Sequence, residues 1–262
     1  MSTLQPDLPE VVKKNRNLAA GETFRFGCHP GVSCFNRCCA DVNILLTPVD
    51  VLTLARRTGL STREFLDRHA LVPITKQLHL PVVMLRMGPE PDKRCPFSTP
   101  AGCGVYEDRP WACRMYPVGM AIPPARAGVE PEPVYFLFED DFCQGRAEPA
   151  EWTVESWRAD QGVPAREALE TGFREIVSHP YFIGGRTLDP KRMEMFFMAC
   201  YDLDSFRDFV FGTSFLHRFV LDAGEVERLR SDDAALLAFA FRWLRFALFG
   251  EPTMTVRSET KP

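Results

Sequence analysis

The sequence predicts an α+β protein: a loop-rich, cysteine-bearing module with short strands and helices, followed by a helical C-terminal region. Three observations predict it. Eight of the nine cysteines fall between Cys28 and Cys143, among Gly, Pro, Asn, Arg and Asp neighbours that belong to loops. Two stretches there, 78–87 (LHLPVVMLRM) and 134–138 (VYFLF), have the apolar, β-branched or aromatic character of strands. Beyond residue 150 the apolar residues recur at helical spacing. The expected organisation is an N-terminal tail over 1–20, the cysteine module over 21–150, a helical region over 151–250 packed on it, and a C-terminal tail over 251–262.

The helices have readable boundaries. Thr47 is an N-cap, Pro48 takes the first helical position and Asp50 adds negative charge at the positive end. Val51, Leu54, Ala55 and Thr58 then face one way, and Gly59 stops the helix. Ser61 and Glu64 form a capping box for a second helix with Phe65, Leu66 and His69 inward. Ile122–Pro133 carries four prolines and reads as a loop. Further on, Leu169, Phe173, Ile176 and Val177 form one stripe. Met193, Phe196, Phe197, Cys200 and Tyr201 form another, opened by Asp189-Pro190. Ser231-Asp232-Asp233 caps the last long helix.

Bulk properties narrow the function classes. A chain of 262 residues can bury a sizeable core. A net charge of −4 gives no general pull toward nucleic acid or anionic lipid. The N-terminus has no apolar secretory h-region. The apolar stretch Ala234–Phe249 is interrupted by Arg242 and Arg245 and is too short to span a bilayer. These features predict a cytoplasmic protein with no membrane or nucleic-acid partner. There the odd total of nine cysteines argues against a disulfide framework and leaves metal ligation, redox or nucleophilic chemistry, and core packing.

The cysteines that carry this chemistry come in two groups. The first is Cys28-x5-Cys34-x3-Cys38-Cys39; the second comprises Cys95, Cys103, Cys113 and Cys143. Thiolates bind soft or borderline metals, and a site takes about four of them. Arg37, Lys93, Arg94, Arg109, Arg114 and Arg146 lie within a few residues of these cysteines, where cations would offset thiolate charge or simply sit in solvent. Cys200 falls on the apolar stripe of its helix and reads as core. His29 is a weaker candidate ligand beside Cys28. No C-x2-C pair of the zinc-knuckle kind is present, and Asp41 stands where a radical-SAM spacing would require a third cysteine. The balance falls on an iron–sulfur cluster over zinc. Cys113, near Arg109 and Arg114, also has the setting of an activated nucleophile, but no general base accompanies it. Dinucleotide, P-loop and nucleophile-elbow motifs are absent.

The order of motifs is a compact cluster ending in Cys-Cys, then LTPVDVLTLARRTGLSTREFL, then CPF…GCGVYEDRPWACRMYP. Over roughly residues 26–145 it resembles the YkgJ-type cysteine-cluster family of zinc- or iron-chelating proteins. The resemblance implies ligand roles for Cys34, Cys38, Cys39, Cys95, Cys103 and Cys113, extending to Cys28 and Cys143. It also implies that Arg109, Pro110 and Arg114 shape the turn at Cys113. The first group departs from the family's C-x2-C-x2-C-C spacing. Flagellin lysine N-methylases resemble the same family, which implies an alternative: an iron–sulfur-dependent, S-adenosylmethionine-using protein methyltransferase. Whether the chain is an enzyme, and which protein partner it has, the residues do not say.

Overall fold

The computed structural model describes residues 9–73, 79–123, 132–183 and 185–257. Mixed helices and short antiparallel sheets, with helices dominating the C-terminal part, make the fold α+β. The chain divides into two compact units, each assembled from two segments. Met1–Ile44 joins Met87–Arg166 in the first, and Leu45–Arg86 joins Glu167–Pro262 in the second. All eight clustered cysteines belong to the first unit and Cys200 to the second.

The first unit is organised on a three-stranded antiparallel sheet in the order Arg16–Leu18, Val134–Leu137, Val118–Ala121. The central strand is the apolar run expected at 134–138. Gly119 lies opposite Phe136 in the register, and a Cβ there would stand 2.3 Å from the Phe136 ring, so the ring's seat depends on glycine. Residues 10–18, expected in a tail, instead form the helix Glu10–Lys14 and the first strand. Val12 is fully buried and packs with Phe136, which repays the ordering of that segment. The main core gathers Phe24, Phe26, Met115, Val118, Trp157 and Val163. Strand Phe24–Arg25 pairs with Glu151–Trp152, fixing the chain just before Cys28 against the chain just after Cys143. Trp152 and Trp157 pack edge to face at 5.3 Å. Trp152 ends a strand, and the helix Val154–Asp160 begins only after it.

The second unit contains the helices whose caps the sequence declares. Pro48–Thr58 starts at a reciprocal Thr47–Asp50 capping box and ends at Gly59, whose φ of 68° is left-handed. Thr62–His69 starts at the Ser61–Glu64 box, with Phe65 and Leu66 buried and His69 half-buried. The strand expected over 78–87 is confined to Val83–Leu85, between Leu45–Leu46 and Ala70–Leu71; Leu78 lies outside the described residues. Most of the expected loop at 122–133 lies outside them as well. The C-terminal core centres on Phe196, Phe206, Leu236 and Leu244, all fully buried. Asp232 caps the helix Asp233–Phe249. The stripe at 169–177 is only partly inward. Ile176 is buried, while Leu169 and Val177 are exposed; Leu169 ends the preceding helix at the break by buried Glu170, and Val177 is the last residue of its own. The expected tail is also tied down as far as residue 257: Val220 donates to Thr255 at 2.9 Å, and Arg257 donates to Arg218 at 2.8 Å.

Candidate metal centre

The site grows from a loop too rich in turns to form regular structure. Backbone hydrogen bonds from Phe35 to Val32, Arg37 to Cys34 and Cys39 to Asn36 fold residues 32–39 tightly, with Asn36 left-handed at φ 63°. A short 3-10 turn, Arg37–Cys39, carries the adjacent pair Cys38 and Cys39. Downstream chain closes over the first part of this loop. Gly27 donates to the Gly145 carbonyl at 2.9 Å, and the Gln144 amide donates to the Cys34 sulfur at 3.1 Å. The Gly145 approach admits no side chain, since a Cβ would sit 2.5 Å from the Gly27 oxygen. Cys143 therefore lies beside the Cys28–Cys34 segment. The Tyr116 hydroxyl, which donates to Asp140 at 3.1 Å, also faces Cys143.

Chain from the second group closes over the other end. Ala40 bridges Arg94 antiparallel, Asp41 donates to the Lys93 carbonyl at 3.0 Å, and Cys95 donates to the Cys39 carbonyl at 2.7 Å. Cys95 then opens a turn in which the Phe97 and Ser98 amides point at its own sulfur. The hairpin Ser98–Thr99/Gly102–Cys103 returns Cys103 to the same place, with Ser98 directly opposite Cys103.

Cys113 sits on the short helix Trp111–Met115, and two buried arginines build its approach. Arg114 donates to the carbonyls of Arg109 at 3.1 Å, of Gln161 at 2.7 Å, and of Glu107. Arg109 donates to the Tyr106 carbonyl and the Gln161 side chain, and stacks 3.8 Å over the Tyr106 ring. These guanidiniums are structural braces as well as nearby positive charge. Of the other flanking cations, Lys93 pairs with Asp41 and Glu90, Arg146 reaches Asp140 and Glu139, and Arg94 contacts Ser98. Arg37 lies 5.9 Å over Phe142.

A family model described as "putative zinc- or iron-chelating domain", with the motif CxxCxxCC, matches residues 27–144. The match begins one residue before Cys28 and ends one after Cys143, so it encloses every clustered cysteine. No curated protein matches the chain. No solved structure matches it either.

The matched stretch presents its thiols in a form suited to a soft metal. All nine cysteines of the chain are free, and the eight of that stretch range from buried (Cys34, Cys143) to exposed (Cys28). The Cys39 thiol donates to Cys38, holding the Cys38 thiol down to about 7. The same bond, with burial, pushes the Cys39 thiol far up. Cys28 is pushed up to about 11 by crowding around its sulfur and then by Cys38, Cys34 and Cys143. Burial raises Cys95, with Cys103 adding to the effect. Thiols that oppose one another's ionisation this strongly are relieved by a bound cation. Among the described residues, no three His, Cys, Asp or Glu side chains already stand in a metal-gripping arrangement. His29 is not held for a ligand role: its Nε2 faces Glu148 at 3.1 Å and its Nδ1 accepts from Gly31 at 3.2 Å. Cys200 is buried in the second unit, its thiol pushed well up by burial, as a core residue should be. The backbone donors from Gln144, Phe97 and Ser98, and the Gln161 brace, carry no motif by which sequence alone would have picked them out.

Proposed function

We propose that the CxxCxxCC domain of this chain holds zinc or iron through the thiolates of Cys28, Cys34, Cys38, Cys39, Cys95, Cys103, Cys113 and Cys143, with an iron–sulfur form favoured. What supports this reading is that eight free thiols of one unit lie on segments that backbone hydrogen bonds bring side by side. Amide hydrogens are already aimed at the sulfurs of Cys34 and Cys95. Amide donors to sulfur stabilise the thiolate that a metal requires. A cytoplasmic location suits nine unpaired cysteines, and no helix among the described residues is long and apolar enough to cross a membrane.

The centre serves the fold as well as any chemistry. It would join residues 28–39 to residues 95–143 and so add its binding free energy to the stability of the unit. The methyl-transfer alternative draws no support from the cavities seen among the described residues. One is lined by Leu52, Ser61 and Asp204, the other by Glu225, Phe239 and Arg242, all in the second unit.

The test is elemental analysis with a visible spectrum on protein purified without oxygen. Iron with acid-labile sulfide and broad visible absorption is the expected result. Zinc without colour would fix the other metal of the same reading. Metal-free protein that takes up neither ion on reconstitution would overturn it.

A further inference from the structure

We infer that the eight thiols form two separate four-thiolate metal sites, one of Cys28, Cys34, Cys38 and Cys143, the other of Cys39, Cys95, Cys103 and Cys113. The inference rests on the thiolate reading above and goes further by dividing the ligands.

Each set is closed by its own backbone contacts. In the first, the Gly27–Gly145 hydrogen bond and the Gln144 amide on the Cys34 sulfur bring Cys143 back onto Cys28 and Cys34. The turn from Cys34 to Arg37 leads into Cys38, whose thiol lies near that of Cys28. In the second, the Ala40–Arg94 bridge and the 2.7 Å Cys95–Cys39 backbone bond bring Cys95 against Cys39. The hairpin adds Cys103, and the Arg109–Arg114 brace supports Cys113.

The sulfurs fall into the same neighbourhoods. Cys38, Cys34 and Cys143 are the thiols close to Cys28, which Arg109 also approaches. Beyond Cys38, to which it is hydrogen-bonded, Cys39 has Cys95 and Cys113 close by, while Cys103 lies close to Cys95. Each set has its own amide donors to sulfur: Gln144 in the first, Phe97 and Ser98 in the second. Four thiolates are the full complement of a closed tetrahedral site or of one cubane cluster. Eight thiols around a single ion would leave half of them unused. The adjacent Cys38 and Cys39 are the seam: each turns to its own metal once their mutual hydrogen bond is given up.

The experiment compares metal content in the full chain and in two double variants, Cys34→Ser with Cys143→Ser and Cys95→Ser with Cys103→Ser. Reduced, chelator-stripped protein is titrated with zinc against a chromophoric competitor, and a parallel sample is reconstituted anaerobically with iron and sulfide. Native mass spectrometry counts the metal. Two centres per chain are expected in the wild type and half that content in each double variant. The surviving centre also reports that each variant is folded. A second measurement needs no variant: with one equivalent of zinc, alkylation mapped by mass spectrometry should show cysteines shielded in fours, along the two sets. Wild type that saturates at one centre, or a double variant that loses all metal while its far-ultraviolet circular dichroism is native, would overturn the division and leave the thiolate reading standing. Failure of the wild type to take up either metal would remove both.

Discussion

The amide of Gln144 donates a 3.1 Å hydrogen bond to the sulfur of Cys34, across 110 residues of chain. Such a bond does two things at once. It stabilises negative charge on the sulfur, and it fixes the neighbouring Cys143 within reach of the cysteines that precede it.

That closure depends on the bare backbone at Gly145. Gly145→Ala would place a methyl group against the Gly27 carbonyl and the Phe26 ring. A cost of about 1–3 kcal/mol is expected from the displaced backbone, read by denaturant unfolding of the metal-free protein. Metal content should fall with it, because Cys143 moves off. Wild-type stability and metal content in this variant would show that the approach is not needed.

Changing Cys38 and Cys39 together to alanine removes the seam. Bound metal should drop below about a tenth of the wild-type amount, since each of the two proposed four-thiolate sets loses a ligand. Thermal stability should fall as well, because the metal no longer bridges distant segments. Cys200→Ala is the matched control. It should cost about 1–2 kcal/mol for a small cavity in the second core and leave the metal untouched.

Arg114 is expected to matter through its geometry. Its guanidinium satisfies three carbonyls around Cys113, so Arg114→Met should leave buried acceptors unmet. About 2–4 kcal/mol of destabilisation follows from losing charge-assisted hydrogen bonds. Arg114→Lys should recover little of it, because an ammonium cannot span the same fork of acceptors. Full rescue by lysine would mean that charge alone is what the site uses.

Thiol accessibility gives a further check without mutation. In reduced, metal-free protein Cys28 is exposed but held protonated, so it should alkylate slowly near neutral pH and faster as pH rises toward 11, while Cys200 should stay unmodified until the chain unfolds. Metal loading should protect the eight clustered cysteines and leave Cys200 as inert as before. Rapid labelling of Cys200 under native conditions would contradict its burial.

Local signals in this sequence were legible and distant ones were not. The helices 48–58 and 62–69 were readable because Thr47, Asp50, Gly59, Ser61 and Glu64 each act within one turn of their own position. Loop-type neighbours likewise marked out the eight cysteines. The burial of Val12 could not be foreseen, since its partner Phe136 arrives through a sheet pairing with no signature near residue 12. Leu169 fitted a helical stripe until the chain broke at Glu170. The grouping of cysteines follows from contacts such as Gly27–Gly145, which periodicity and spacing do not encode.

The distance along the chain between Cys34 and the residues that close over it also has a temporal meaning. A chain leaving the ribosome presents Cys39, Cys95, Cys103 and Cys113 before Cys143 exists. At about 5–20 residues per second, the thirty residues from Cys113 to Cys143 take roughly 1.5–6 seconds to appear. During that interval the later-finished set is three thiols waiting for a fourth, so the two sites are born in a fixed order, and a cell short of metal would fill the earlier one first.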